Sequence, residues 1–565
     1  MDRQRLDLSS DLAIAVLLAA VLGLAWSIRD WASLSVLRLP DTDDVMRLQQ
    51  VRDWLGGQSW SDLTQYRLGA GVPMHWSRVA DLGPALLIAS ATPLLGPQGA
   101  EIFAVTVWPL LLFAGALLLV GRITRRLAPD AALTAMVVAA IAYPATTIFV
   151  PGRIDHHGLQ LVLLLGATLA AIGRPTFRNG AITGALAATS LVIGMETMPF
   201  FTVLGAAALL AWACAERKGD ARILGLGVGT LTGLGMGVAG FASRQWRYPA
   251  CDGFTQQAAT GLAIMAIVPL AVAVLGRHII SVRVRLAIAT VLSFGALGVV
   301  RLQSPACGSP YGQVPSLLRR LWLDHVGEAQ SIVAAPFGVA FGYLGVMLAG
   351  VVASAWLLRR RPGRHAALLL ALQCTAVGIA AVQLRGAYTG AMLGAPALAI
   401  MIGAARRRGI LTLVPAWILS TGMLYPIAAE AFVPSPRKPA SSASTCASPQ
   451  AIAALDHLSP GMVMAPIDVA PWGIAATPHR FVAGPYHRNT AGNLAMYRFF
   501  YGGVDEGRAI ARAWDVRYVL YCDGALGTER PGANSMARHM IPHEAPSWLR
   551  PLGGATRPVL YEVVR

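Results

Sequence analysis

Charge is what this chain has least of. Only 13% of its 565 residues are Asp, Glu, Lys or Arg, about half the share usual in a soluble domain. Hydrophobic residues make up 55%, so an ordinary soluble domain is excluded for the chain as a whole. Acidic residues are scarcer than basic ones, 29 against 46, and the net charge is +17. That surplus does not point to nucleic acid. The arginines fall in short loops between apolar runs, where the positive-inside rule expects them. None of the six cysteines forms a C-x-x-C pair, which leaves zinc-finger and thioredoxin-like readings with little support. No small-x-small cleavage site follows the basic, apolar N-terminus (Arg3, Arg5, then Leu12 to Trp26). The first run therefore reads as an uncleaved span that starts on the cytoplasmic side.

What is present is a recurrence of apolar runs of about 18–22 residues over the first three quarters of the chain. Expected spans cover about 11–29, 102–120, 131–150, 158–173, 180–196, 198–215, 223–242, 257–276, 286–300, 337–358, 366–384, 387–405 and 410–430. The run 84–95 is too short to cross a bilayer of about 30 Å and is expected as an interfacial helix in the external loop 30–100. Arginine clusters at 122–126, 174–178, 217–222, 277–285, 359–364 and 406–408 then all fall on one side. The expected architecture is a polytopic α-helical membrane protein of about 13 spans, N-terminus in and C-terminus out, with a second external loop at 301–336. A bacterial inner (plasma) membrane with the functional face toward the periplasm is the expected location. Gly225, Gly229, Gly233 and Gly237 form a small-residue face for close helix packing.

Residues 1–433 form the transmembrane domain on this reading, and the Pro/Ser/Ala-rich stretch 434–449 is a linker. Residues 450–565 read as a small external α/β domain, with helices at 450–458 and 505–514 and strands at 461–466, 517–521 and 558–564. In an oxidising space Cys446 with Cys522, and Cys251 with Cys307, are plausible disulfides, and free buried thiols fit each pair equally well.

Four external features carry potential chemistry. The first is Asp41-Thr42-Asp43-Asp44, opening an amphipathic helical segment. The second is Asp155-His156-His157, where one span meets the next. Asp155 and His157 are two residues apart, so an extended turn lets both face one ion. The third is the stretch Trp322 to Gln330, around His325 and Glu328. The fourth is Arg385 at the outer end of a span, a costly position unless it meets an anion or a water-filled cavity. Each also has a plainer reading: Asp44 as a helix cap, His156 as an interfacial surface residue, Glu328 as a solvated loop residue, and Arg385 as a snorkelling side chain.

The segment Asp41-Thr42-Asp43-Asp44-Val45-Met46-Arg47-Leu48-Gln49-Gln50-Val51-Arg52 resembles the first acidic motif of the oligosaccharyltransferase catalytic subunits. Asp155-His156-His157 resembles their second acidic motif in its archaeal form, and Val326-Gly327-Glu328-Ala329-Gln330 is similar to their flexible-loop glutamate motif. The resemblance covers the plan of the whole chain and implies a remote relative within the GT-C glycosyltransferase fold. It implies catalytic roles for Asp43, Asp155 and Glu328, and a divalent cation, Mn²⁺ or Mg²⁺, on Asp43, Asp155 and His157, with His75 as a further ligand. It also implies a polyprenyl-phosphate- or diphosphate-linked sugar donor. Asp44, Arg385, Tyr486, His487 and Arg488 are the expected substrate contacts. The family's Trp-Trp-Asp-Tyr-Gly motif is missing, so the acceptor stays open among glycan, lipid and protein. Two other readings are a multi-span transporter or flippase of a lipid-linked glycan, and a metal-independent GT-C transferase acting on lipid or polysaccharide. A carrier would place ionisable groups near mid-membrane and often shows internal repeats; the spans here lack both.

Overall fold

The computed structural model describes residues 2–214, 220–248, 250–279, 281–305, 307, 314–432, 446–522, 524–527, 529, 531–540, 544–552 and 559–564. Most of the linker, Arg217 and Lys218 of one basic loop, and the side chain of Glu328 lie outside the described residues. The chain folds as two units, Met1–Arg38 with Trp76–Pro310 and Gly327–Pro434, and Leu39–His75 with Tyr311–Val326 and Ser435–Arg565.

The first unit is helical. Among the described residues nine helices are long and apolar enough to cross a membrane, or ten if the bent pair Ile410–Ser420 and Leu424–Ala431 is one span. Three of the thirteen expected spans are shorter: the second half of 131–150 turns into the 3-10 segment Ala145–Phe149, and helices His157–Ala171 and Phe177–Ile193 have 15 and 17 residues. Residues 84–95 belong to the first of two helices that meet at a kink within Arg78–Leu127. The two parts are separated only at Gly96, whose φ of 69° is a left-handed value that L side chains resist.

Helix Gly386–Arg406 is the hub of this unit, with 78% of its apolar window buried against 6% for helix Val282–Gln303. At the basic end, fully buried Asp11 of the first helix accepts two bonds from Arg125, each 2.6 Å, and lies 3.5 Å from Arg122. The glycine face packs as its spacing implies. A Cβ on Gly225 or Gly229 would strike the Phe177 and Ala181 carbonyls, and Gly180 and Gly184 return the contact against Arg222 and Leu226. Cys251 and Cys307 are disulfide-bonded.

The second unit is α/β. Its five-stranded sheet runs Arg480–Phe481, Met462–Met464, Val516–Tyr521, Val559–Val563, Leu549–Pro551. The first three strands are parallel and the last two antiparallel to their neighbours. Helices Pro449–Asp456 and Val504–Ala513 fall where the sequence pattern places them. Helices Ala470–Ala476 and Thr490–Tyr501 are additional. Cys446 and Cys522 are both buried and bonded, Cα to Cα 5.7 Å.

A boundary at 433 omits two pieces of this unit. Residues 39–75 add helix Thr42–Leu55, where Arg52 donates to the Ala475 carbonyl at 3.2 Å. Leu68 makes a parallel bridge to Phe481, closed by the bonds Gly69 N to Phe481 O (2.7 Å) and Phe481 N to Arg67 O (2.8 Å). Residues 314–326 contribute Leu318, Leu321 and Trp322 to the apolar core around Phe499 and Phe500. A sheet edge and an apolar core both need covering, and these loop segments supply that cover.

Candidate functional site

The Asp155 turn is built by the chain just before helix His157–Ala171. Gly152, at a left-handed φ of 93°, donates its N–H to the Val105 carbonyl at 2.8 Å, and Arg153 N–H bonds the Val150 carbonyl at 3.0 Å. Fully buried Ile154 anchors the turn, and Asp155 follows at 6% exposure. His156 is the residue flanking the helix N-terminus.

The plainer reading of His156 as a surface residue is overturned, for it is 5% exposed and both ring nitrogens face carboxylates. Nδ1 lies 2.7 Å from Asp155 Oδ1, and Nε2 lies 3.3 Å from Glu196 Oε1. Burial alone would lower the His156 pKa, but the flanking Asp155 and Glu196 charges outweigh it and push it up to about 10. Four residues on, Gln160 turns its side-chain amide toward Glu196 Oε2 (3.2 Å), the Gly194 carbonyl (3.0 Å) and the Ser190 carbonyl (3.3 Å). Ser190 and Thr197 hydroxyls share a bond of 2.8 Å across the same corner. Glu196 and Gln160 are thus site residues that motif reading missed. The available signal was a polar residue one turn beyond the histidine in an apolar helix, and a carboxylate at a span end.

Asp155 divides its oxygens. Oδ1 is taken by His156, while Oδ2 faces His157 Nε2 at 3.3 Å. The three residues can bring one ligand atom each to within 4.8 Å of one another. With His156 held on two carboxylates, Asp155 Oδ2 and His157 Nε2 are the pair that fits a divalent ion. Arg385 flanks the N-terminus of helix Gly386–Arg406, bonds Gln383 Oε1 at 2.8 Å, and acts electrostatically on Glu196 together with His156 and His157.

The first acidic motif lies in the other unit. Asp41, not Asp44, caps helix Thr42–Leu55: its Oδ1 accepts from the Asp43 N–H at 3.2 Å. Asp44 is completely buried in the first turn, which removes the cap reading for it, and Asp43 is half-buried beside it. The buried Tyr486 hydroxyl donates to the Thr42 carbonyl at 3.1 Å. His487 and His75 rings are 4.8 Å apart. Arg488 reaches the Pro73 and Met74 carbonyls at 3.4 and 3.3 Å. The whole turn is braced by Asn493, which accepts from Gly484 N–H (3.0 Å) and donates to the Tyr486 carbonyl (3.2 Å). Tyr486 and Arg488 therefore position the segment 42–74 within this unit. Asp468 is held above its ordinary pKa, by burial first and by Asp41 second.

Comparison with solved structures decides the architecture. The archaeal oligosaccharyltransferase AglB from Archaeoglobus fulgidus, in complex with an inhibitory peptide and a dolichol-phosphate, superimposes with a TM-score of 0.61 at 14% identity, over 91% of this chain and 69% of that one. The chain has the GT-C fold. The same archaeal enzyme in complex with Zn and sulfate matches at 0.56, 14% identity, over 90% of this chain and 67% of that one. Tethered to an acceptor peptide with the NVT sequon it matches at 0.55, 13% identity, over 91% and 69%. No protein-family model and no curated protein matches the sequence. At this identity the likeness establishes a polytopic GT-C membrane scaffold, remotely related in fold to the oligosaccharyltransferase subunits.

Proposed function

We propose that this chain is a membrane glycosyltransferase that moves a sugar or oligosaccharide from a polyprenyl-phosphate- or diphosphate-linked donor to an acceptor on the external face. The observation that carries the reading is the Asp155–His157 pair on a GT-C scaffold, with Asp155 fixed from behind by His156. The dolichol-phosphate and peptide bound to the archaeal relative support a lipid-linked donor and an external acceptor.

Asp43, Asp155 and His157 are the residues that would hold Mn²⁺ or Mg²⁺, with His75 and Glu328 as further ligands. A hard cation there would neutralise charge on the departing lipid phosphate. Asp155 presents one oxygen to the reacting side because His156 occupies the other. The Glu196 and Gln160 contacts keep the His156 ring from turning, so the carboxylate is pre-aimed. Asp44, Arg385 and His487 would be substrate contacts. Arg385 supplies a fixed positive charge for a second anionic group of the donor. Without the Trp-Trp-Asp-Tyr-Gly motif the acceptor is a glycan, a lipid or a protein site other than the sequon.

One observation favours a second reading, transfer without metal. A protonated His156, 2.7 Å from Asp155, would offset part of the negative charge that a metal would otherwise neutralise.

Lipid analysis of cells lacking the protein separates transferase from flippase. A transferase predicts build-up of a polyprenyl-linked glycan that an externally added glycosidase can reach. Build-up confined to the inner leaflet would favour the flippase.

A further inference from the structure

A second polar constellation sits in the first unit, on the side that carries the basic loops. A cleft of about 500 Å³, counting its open mouth, lies among five helices. Its apolar walls come from Leu204, Ala207, Ala211, Leu226 and Leu368, and its polar end from Arg222, Arg364 and His365. Arg126 lies within electrostatic reach of His365, as do Arg364 and Arg222. Two arginines and a histidine thus line one small space, with the Arg126 charge in reach of the histidine.

Among the described residues, Asp220 and Asp11 are engaged elsewhere. Asp220 takes the Trp212 indole N–H at 2.7 Å, and Asp11 takes Arg125 at 2.6 Å. Arg222 is only 9% exposed. Its two terminal nitrogens donate to the Ala171 carbonyl at 3.0 Å and to the Gly173 carbonyl, while its Nε is buried with no partner. A buried donor left unmatched is costly, and like charges gathered together are costly as well. The second cost is relieved by an anion with acceptor oxygens. The walls behind that anion site are alanine and leucine, which suit hydrocarbon.

We propose that this cleft holds the phosphate of an anionic membrane lipid, with an acyl chain along the Ala207–Leu226 wall. Basic pockets between spans on the positively charged side of a membrane protein suit such headgroups. The site is separate from the Asp155 turn, so it stands whether or not the transferase reading holds.

The test uses the full chain in phosphatidylcholine nanodiscs doped with phosphatidylglycerol, with retained lipid counted by native mass spectrometry. The wild type should retain phosphatidylglycerol in preference to phosphatidylcholine. Arg364→Gln removes an exposed rim charge and should cut that retention about fivefold. Ala207→Leu narrows the apolar wall and should also lower it, with every charge kept. Arg222→Gln should do most harm, but it also loses two carbonyl contacts, so the first two variants decide. Unfolding of the detergent-purified protein with added inorganic phosphate separates the sources, because a lipid site predicts no thermal shift. Unchanged retention in both Arg364→Gln and Ala207→Leu would overturn the proposal. So would full thermal protection by inorganic phosphate alone, which would mark a free-anion site.

Discussion

His156 and Glu196, forty residues apart in the chain, meet at 3.3 Å through Nε2 and Oε1. That contact ties the turn bearing Asp155 to the corner that opens helix Met198–Cys214. A carboxylate–histidine–carboxylate row of this kind orients its outer member, and removing such a supporting group costs about 10–100-fold in metal affinity or activity. Glu196→Gln should therefore lower transfer and Mn²⁺ affinity by about that factor. Its thermal unfolding should stay close to wild type. Isothermal titration of Mn²⁺ alongside initial rates checks both, and unaltered metal affinity would remove Glu196 from the site.

Asp11 offers a purely structural test. It is fully buried and held by Arg125 and Arg122. Asp11→Ala leaves those guanidinium groups without their anion and should destabilise the protein by about 3–5 kcal/mol. Replacing the pair by similar-sized apolar residues, Asp11→Leu with Arg125→Met, should restore much of that loss. Thermal unfolding in detergent compares the three proteins.

Asp468 sets a pH dependence. Its carboxyl is held above the ordinary value by burial and by Asp41. A raised carboxyl favours the neutral form in the fold. Its contribution is fully present below the ordinary carboxylate pKa and is lost as pH rises through the higher folded value. Asp468→Asn should thus be at least as stable as wild type at neutral pH and should lose that part of the acid-side gain. Unfolding midpoints of the intact protein across pH 3–7 measure it, and identical profiles would contradict the assignment.

The Cys446–Cys522 bond closes a loop of 76 residues around the α/β unit. Its removal by Cys446→Ser should cost about 2–4 kcal/mol. Peptide mapping after alkylation should leave Cys446 and Cys522 unlabelled in the wild type, while the free Cys214 and Cys374 take the label; label on both Cys446 and Cys522 would refute the pairing.

Much of this architecture is legible before any coordinates, and the reasons are local. Gly225 and Gly229 announce close packing because a Cβ there would meet backbone. Strands Val516–Tyr521 and Val559–Val563 carry their β-branched runs openly. Other features are not local. Glu196 looks like an odd charge at a span end until His156 folds against it. Leu68 gives no sign that it will edge a sheet with Phe481, more than four hundred residues away. Apolar length alone does not reveal that residues 84–95 meet the next span at a single kinked glycine. Asp44 and Asp41 are both good capping residues, and only the helix start separates them.

The most direct test of the central claim is transfer from a purified polyprenyl-linked sugar donor, measured with and without Mn²⁺. Wild type should depend on the metal. Asp155→Ala and Asp43→Ala should each lose activity by about a thousandfold or more, since a lost ligand removes several kcal/mol of charge stabilisation. Both variants should still insert and unfold near the wild-type midpoint. Activity that survives chelation, or that persists in the Asp43→Ala/Asp155→Ala double variant, would contradict metal-assisted transfer at this site.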